Sequence, residues 1–188
     1  MSTKLWRALV LLAVVLAFGV SFEMLRQVIG SHSPWLILLL MFYVLAVFKM
    51  AEPLFMLRLP RALQLLRQWE LEGTLYRQLD VVAYGHALRG SPLRYLNRAV
   101  YLDRAPRDLG RLGRQAEAAE AAHLLAGALV LPYMVYAALA GRWLVAVGFA
   151  VAELLVNAYP LLHLRYTRGR LQRVEQHRWG AQHATRDA

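Results

Sequence analysis

Residues 121–164 read AAHLLAGALVLPYMVYAALAGRWLVAVGFAVAELLVNAYPLLHL, which is two long apolar runs separated only by Gly141 and Arg142. A helix needs about 20 apolar residues to cross the hydrocarbon core of a bilayer. Because two residues suffice only for a tight turn, the second helix must return antiparallel to the first. The stretch therefore predicts a helical hairpin with membrane spans at 120–140 and 143–164.

Two further apolar runs near the N-terminus predict a second hairpin, with spans at 6–25 and 34–57 joined around Gly30. Lys4 and Arg7 precede the first run as they would in a signal peptide, but no Ala-x-Ala cleavage site follows, so we interpret this run as an anchor. The predicted fold is all-α. It is an integral membrane four-helix bundle of two helical hairpins, with residues 1–188 forming a single membrane domain.

The charge pattern predicts the orientation of these spans. Although 59% of the residues are hydrophobic, the formal net charge is +10. Eleven arginines and five acidic residues lie between Arg58 and Arg114, and six more arginines follow from Arg165 onward, whereas the hairpin turns hold only Arg26 and Arg142. The positive-inside rule then places residues 58–119 and both termini in the cytoplasm. Arginines that flank apolar runs favour the lipid bilayer, not nucleic acid, as the partner. We therefore predict a multi-pass protein of the cell membrane.

The segment between the two hairpins predicts a surface helix. Residues 59–79, LPRALQLLRQWELEGTLYRQL, place apolar and aromatic side chains at helical spacing with arginines between them, which is typical of an amphipathic helix on the cytoplasmic membrane surface. Residues 172–188 are predicted to form a flexible tail. The chain contains no cysteine, which excludes disulfides, Cys-ligated metals and thiol nucleophiles.

Glu120 and His123 are candidates for chemistry at the start of the third span. They stand three residues apart and therefore share a helix face, so the carboxylate could orient the imidazole and raise its basicity. The same spacing fits two metal ligands, but it is only half of the set that di-iron bundles use, and we predict no metal. Alternatively, both side chains lie in the headgroup layer and have no chemical role.

The fourth span carries polar residues that an apolar anchor does not need. Glu153 and Asn157 lie four residues apart, and an acid at this depth is costly unless it is paired, so both should face the bundle interior. Pro160 has no N–H, which leaves a carbonyl near residue 156 free to meet a polar partner, unless the proline only kinks the helix.

The cytoplasmic end of the fourth span is rich in arginine. In the segment HLRYTRGRL, Arg165, Arg168 and Arg170 surround Tyr166, which suits the recognition of phosphate or carboxylate but also the basic belt common at cytoplasmic helix ends. The predicted topology brings all these polar residues toward one leaflet. It therefore predicts a pocket that a lipid-soluble substrate enters from the bilayer and a water-soluble substrate enters from the cytosol.

Three segments resemble one protein family. They are WELEGTLYRQL (69–79), AAEAAH (118–123) and NAYPLLHLRYTRGRL (157–171), and their order and spacing resemble the glycosyl-4,4'-diaponeurosporenoate acyltransferase family. This resemblance implies transfer of a fatty acyl group to a hydroxyl of a lipid-soluble acceptor such as a glycosylated carotenoid. It implies an acyl thioester donor as a substrate and no cofactor.

The resemblance also implies functional residues. His123, held by Glu120, would take the proton from the acceptor hydroxyl, and the arginines would hold the phosphates of the donor. The residues implied in substrate binding are Glu70, Tyr76, Asn157, Tyr159, Arg165, Tyr166, Arg168 and Arg170. The alternative is a non-catalytic membrane protein that binds anionic lipid or a partner enzyme. The oligomeric state stays open, because Gly127 and Ala128 could pack within one chain or between two.

Overall fold

The computed structural model describes residues 3–30, 33, 35–55, 57–92 and 109–184, and within these ranges the regular secondary structure is entirely helical. The all-α prediction is therefore confirmed. The helices are α1 (Thr3–Ile29), α2 (Trp35–Phe55), α3 (Arg61–Gln64), α4 (Gln68–Glu72), α5 (Thr74–Gln78), α6 (Val81–Gly90), α7 (Leu109–Leu139), α8 (Trp143–Glu153) and α9 (Tyr159–Ala184), with a π-helical turn over Leu154–Ala158 between α8 and α9.

In the part of the chain that the structure describes, three helical stretches are long and apolar enough to cross a membrane. They are Thr3–Ile29, Leu109–Leu139 and Trp143–His177, the last of which combines α8, the π-helical turn and most of α9. Trp35–Ala51 is a shorter apolar helix. Lengths and compositions of this kind are those of a membrane protein.

The turn predicted at Gly141 and Arg142 is confirmed, since α7 ends at Leu139 and α8 begins at Trp143. Gly141 has φ of 72°, a left-handed conformation that glycine adopts without strain. The backbone N–H of Arg142 donates to the carbonyl of Ala137 over 2.8 Å, which satisfies one of the last carbonyls of α7. The end of α7 is therefore set by local sequence.

The contacts divide the chain into two compact units, and the single membrane domain expected for residues 1–188 stays a prediction. One unit comprises Met1–Leu57 and Ala121–Pro160, and the other comprises Arg58–Glu120 and Leu161–Ala188. We call them the hairpin unit and the arginine unit. The core of the hairpin unit contains Met41, Val130, Phe149 and Ala152. The core of the arginine unit contains Ala116, Ala119 and Leu164.

The single amphipathic helix predicted for residues 59–79 is wrong, because three short helices occupy this segment. The chain is extended at Arg67 (φ −77°, ψ 159°), where the backbone N–H donates to the Glu70 carboxylate over 2.8 Å. It then turns at Gly73, which has φ of 73° and ends α4. The polar cap and the left-handed glycine interrupt the helix although the apolar spacing continues.

The flexible tail expected at 172–188 stays a prediction, and the structure describes most of this segment as helix. Helix α9 continues to Ala184, and residues 185–188 lie outside the described part of the chain. Residues 172–184 contain no proline and are rich in arginine and glutamine, which favour helix. Helical propensity accounts for the helix in this part of the segment.

Candidate functional site

A buried polar cluster in the hairpin unit consists of His123, Glu153 and Asn157, and we call it the histidine cluster. His123 belongs to α7, Glu153 is the last residue of α8, and Asn157 lies in the π-helical turn. His123 and Asn157 are only 3% and 2% exposed. A π-helical turn adds one residue to the helical repeat and is frequent at functional sites, because it redirects the side chains within it.

The cluster forms a chain of hydrogen-bonding groups. The amide nitrogen of Asn157 donates to the Oε2 atom of Glu153 over 2.8 Å, and the amide oxygen of Asn157 lies 3.4 Å from Nδ1 of His123. An ionised carboxylate can only accept hydrogen bonds, so Glu153 fixes which end of the Asn157 amide faces the histidine. The two polar residues that were expected to face the bundle interior therefore hydrogen-bond each other.

This geometry determines the tautomer of His123. Because the oxygen of Asn157 can only accept, Nδ1 of His123 carries the proton and Nε2 carries the basic lone pair. The Nε2 atom is buried and has no hydrogen-bond partner among the residues that the structure describes. A buried polar atom without a partner is costly and uncommon, and it marks a position where a reacting group could bind.

The backbone beside Pro160 contributes to the same cluster. Pro160 has no N–H to offer to the carbonyl of Val156, and the ring of His123 makes a hydrogen bond with the backbone of Val156. The carbonyl that the sequence predicted to be free near residue 156 therefore meets a polar partner.

Gly127 makes room for the carboxylate of the histidine cluster. A Cβ atom at this position would lie 2.0 Å from Oε1 of Glu153. From the sequence, Gly127 was expected only to pack helices together. Its position four residues after His123, and hence on the same helix face, was the signal that could have associated it with the site.

A second cluster lies in the arginine unit and joins four charged side chains, Glu70, Glu120, Arg165 and Arg168. We call it the carboxylate–arginine network. Arg165 donates to both oxygens of Glu70, over 2.6 and 3.0 Å, and to one oxygen of Glu120 over 2.5 Å. Arg168 donates to the other oxygen of Glu120 over 2.5 Å. Two positive and two negative charges thus neutralise one another, which offsets the cost of burying them.

The network also closes the end of α3. Arg165 donates to the carbonyl of Leu63 over 2.9 Å, and Arg168 donates to the carbonyl of Gln64 over 2.6 Å. These carbonyls belong to the last turn of a short helix, where no intrahelical donor is left for them. Each arginine therefore pairs with a carboxylate and caps a helix at the same time.

The pKa of the Glu70 carboxyl reflects two opposing effects. Burial alone would raise this pKa, but hydrogen bonds from Arg165, from the backbone N–H of Arg67 and from the Tyr76 hydroxyl outweigh it, and the pKa is lowered. The hydroxyl of Tyr76 donates to Glu70 over 3.0 Å. Burial, together with this hydrogen bond, raises the pKa of Tyr76. Glu70 is therefore held as a charged acceptor and Tyr76 as a neutral donor.

Glycines allow α4 and α9 to approach each other closely. A Cβ atom at Gly73 would lie 3.2 Å from the ring of Tyr166, and one at Gly169 would lie 3.4 Å from the backbone oxygen of Glu70. The rings of Tyr76 and Tyr166 have centroids 5.7 Å apart. The segments WELEGTLY and RYTRGR thus pack directly against each other, which gives a physical reason for the presence of both segments in this chain.

The structure corrects the predicted role of Glu120. Both of its carboxylate oxygens accept from arginines, while His123 pairs with Asn157 instead. Glu120 is only 1% exposed, and a carboxylate buried to this extent requires charged donors, which two guanidinium groups supply and a neutral imidazole does not. Glu120 therefore belongs to the network, and Glu153 supplies the carboxylate of the histidine cluster.

The remaining predicted residues occupy α9. Tyr159 is half-buried at its first position, and the guanidinium carbon of Arg170 lies 6.0 Å from the centroid of the Tyr166 ring. His163 was not among the predicted residues. It is buried against Gly85, where an added Cβ would lie 2.2 Å from the imidazole Cε1. The described residues contain no group of three or more His, Asp or Glu side chains that could hold a metal ion.

Comparison with known proteins identifies a family. A family model described as glycosyl-4,4'-diaponeurosporenoate acyltransferase matches residues 59–177, a range that contains both clusters. No curated protein and no solved structure matches the chain. The matched range covers more than half of the 188 residues and includes all three segments on which the resemblance rests.

Proposed function

Because this chain belongs to the glycosyl-4,4'-diaponeurosporenoate acyltransferase family, we propose that it transfers a fatty acyl group from an acyl thioester to a hydroxyl of a lipid-soluble acceptor. The match to this family supports an acyltransferase role in the modification of carotenoid glycosides. A sugar hydroxyl on a glycosylated carotenoid is therefore the acceptor that we propose. The observation that carries the mechanism is the buried Nε2 atom of His123, which has no partner in the described part of the chain.

In this mechanism, His123 acts as the general base. Its Nε2 atom takes the proton of the acceptor hydroxyl while the hydroxyl oxygen attacks the acyl carbonyl carbon. A new ester C–O bond forms and the C–S bond of the thioester breaks. The departing thiolate then receives the proton from Nε2, so His123 returns to its starting state. Neither metal nor redox chemistry is needed to balance the reaction.

Asn157 and Glu153 act as positioning residues for this base. The Asn157 oxygen holds the proton on Nδ1 and orients the ring, and it stabilises the imidazolium that forms when Nε2 is protonated. Glu153 fixes the Asn157 amide through its 2.8 Å hydrogen bond. This arrangement follows the logic of catalytic triads, in which a third group orients the base.

The test is a lipid analysis of cells that produce the chain with His123→Gln. We expect the acylated product to fall by at least about 100-fold, which is the contribution typical of a general base. Glutamine keeps a hydrogen-bonding side chain, so the amount of inserted protein should stay normal. His86→Gln, which changes an exposed histidine of α6, is the matched control and should leave product formation unchanged. Undiminished product from a normally inserted His123→Gln protein would refute this mechanism.

A non-catalytic membrane protein that binds anionic lipid or a partner enzyme is the second candidate. It is favoured by one observation, which is that Arg165 and Arg168 are already paired with Glu70 and Glu120. Replacing Arg165 by lysine would remove the bidentate contact and weaken the fold under either function. The His123→Gln experiment therefore separates the two candidates, whereas a variant at Arg165 does not.

We propose that the chain lies in the cell membrane and crosses it four times, with α2 as the second span. Both termini would then lie in the cytoplasm. This arrangement is supported by the 21 residues of α2, by the two-residue turn between α7 and α8, and by the concentration of arginine between residues 58 and 114 and after residue 165.

A further inference from the structure

The face of α9 that follows the carboxylate–arginine network lines a cavity. Arg170, Arg173, Val174 and His177 border this cavity, whose volume is about 480 Å³. The four residues occupy positions i, i+3, i+4 and i+7, which lie on one side of a helix. The cavity is shallow and open to solvent, because these four residues come from one face of a single helix and three of them are exposed. We call it the arginine–histidine cavity.

The two arginines of this cavity have no carboxylate partner among the residues that the structure describes, in contrast to Arg165 and Arg168. The Nε atom of Arg173 is buried and lacks any hydrogen-bond partner within those residues. Arg170 lies over the ring of Tyr166, and contact with an aromatic ring leaves its charge uncompensated. The acidic residue nearest in sequence, Glu175, is exposed and falls on another side of α9.

His177 adds a third donor to the cavity. Its Nδ1 atom lies 2.7 Å from the carbonyl oxygen of Arg173, which can only accept, so Nδ1 carries a proton. When the imidazole is also protonated at Nε2, it can donate there to an anion. Two guanidinium groups and an imidazole on one face are suited to phosphate, because arginine binds phosphate oxygens through two parallel hydrogen bonds.

We propose that the arginine–histidine cavity binds a phosphate group through Arg170, Arg173 and His177. Two ligands share this chemistry, a soluble acyl donor that carries phosphates and the headgroup of an anionic lipid. The donor assignment rests on the proposed acyltransferase function, while phosphate binding itself does not. This site differs from Arg165 and Arg168, which were also expected to bind the donor, because Arg165 is already paired with Glu70 and Glu120, and Arg168 with Glu120.

The test measures binding of coenzyme A to the full chain in nanodiscs of zwitterionic lipid by isothermal titration calorimetry. Pantetheine, which has the same thiol arm without phosphates, is the matched probe. We expect coenzyme A to bind and pantetheine not to bind. Arg173→Gln should weaken binding by about tenfold or more, because a charge-assisted contact is lost. Arg142→Gln removes an exposed arginine from the turn before α8 and should change nothing.

A second arm identifies the source of the phosphate. Nanodiscs that contain phosphatidylglycerol are used to measure retention of this lipid by the chain and by Arg173→Gln. Arg173-dependent binding of coenzyme A supports the donor, and Arg173-dependent retention of phosphatidylglycerol alone supports the headgroup. If neither probe depends on Arg173 in a variant that unfolds at the normal temperature, the proposal is overturned.

The binding measurements test the phosphate site independently of the proposed acyl transfer. His123→Gln should bind coenzyme A as the unaltered chain does. If acyl transfer persists in His123→Gln while binding depends on Arg173, the proposed mechanism fails and the phosphate site stands. If acyl transfer depends on His123 and neither probe depends on Arg173, the phosphate site fails and the mechanism stands.

Discussion

At the residue scale, the histidine cluster depends on space that Gly127 leaves open. We expect Gly127→Ala to lower acyl transfer by about tenfold or more, because its Cβ would meet Oε1 of Glu153 at 2.0 Å and displace the carboxylate that orients Asn157. The loss should appear in the amount of acylated lipid per inserted protein, since the flexible end of Glu153 can move without unfolding the chain.

Gly113→Ala is the matched control for this substitution. Gly113 belongs to the same helix, α7, and a Cβ there would have no atom within 4 Å. Alanine should be tolerated at this position and should even favour the helix slightly. Equal acyl transfer by Gly127→Ala and Gly113→Ala would show that the position of Glu153 does not matter for the reaction.

At the scale of elements, the carboxylate–arginine network joins residues of α4, α7 and α9 with the last turn of α3, and Glu70 makes it sensitive to acid. The folded-state pKa of the Glu70 carboxyl is lowered. The contribution of Glu70 to stability is therefore present above the ordinary carboxyl pKa of 4.5 and is lost as the pH falls through the folded-state pKa. We expect the melting temperature in detergent to decrease below about pH 4.5. Glu70→Gln should cost about 3 kcal/mol near neutral pH and flatten this decrease.

The control for the network is Glu72→Gln, which changes an exposed glutamate of the same helix, α4. It should melt like the unaltered chain across the whole pH range, because an exposed carboxylate contributes little to stability. A Glu70→Gln protein with the same stability and acid response as the Glu72→Gln protein would contradict the structural role of Glu70.

Sequence predicts an element well where its cause is local. The turn at Gly141 and Arg142 follows from two apolar runs and one glycine, and the structure has it in place. The break at Arg67 depends on a tertiary partner instead. The break is stabilised by Glu70, whose own partner Arg165 lies 95 residues away in the sequence. Helical spacing carries no information about such a partner.

The same distinction explains how much of the candidate site could be predicted from the sequence. The spacing of Glu153 and Asn157 indicated a shared helix face, and the two side chains hydrogen-bond each other because they lie within about one helical turn. The spacing of Glu120 and His123 was equally suggestive and indicated the wrong pair. Glu120 binds Arg165 and Arg168, 45 and 48 residues away, since two charged donors stabilise a buried carboxylate more than one neutral imidazole does.

At the scale of the whole molecule, the four-span arrangement predicts alternating accessibility along the chain. The chain has no cysteine, so single cysteines can be introduced without background. We expect Ser33→Cys and Ala140→Cys, which lie in the two hairpin turns, to react with a membrane-impermeant maleimide in intact cells. Gln68→Cys and Gln172→Cys should react only after the cells are permeabilised, because the positive-inside rule places these arginine-rich segments in the cytoplasm. All four positions can be compared by the mass of the labelled protein.

The decisive position is Ser33, because Trp35–Ala51 is shorter than the other three apolar helices. If α2 crosses the membrane, Ser33→Cys and Gln68→Cys lie on opposite sides and label differently. If α2 instead lies along the surface, the two positions label alike, and α1 alone would separate the N-terminus from the arginine unit. Labelling of Gln172→Cys in intact cells, with Ala140→Cys protected, would reverse the orientation of the α7–α8 hairpin. It would also place the arginine–histidine cavity away from the compartment in which soluble acyl donors are made.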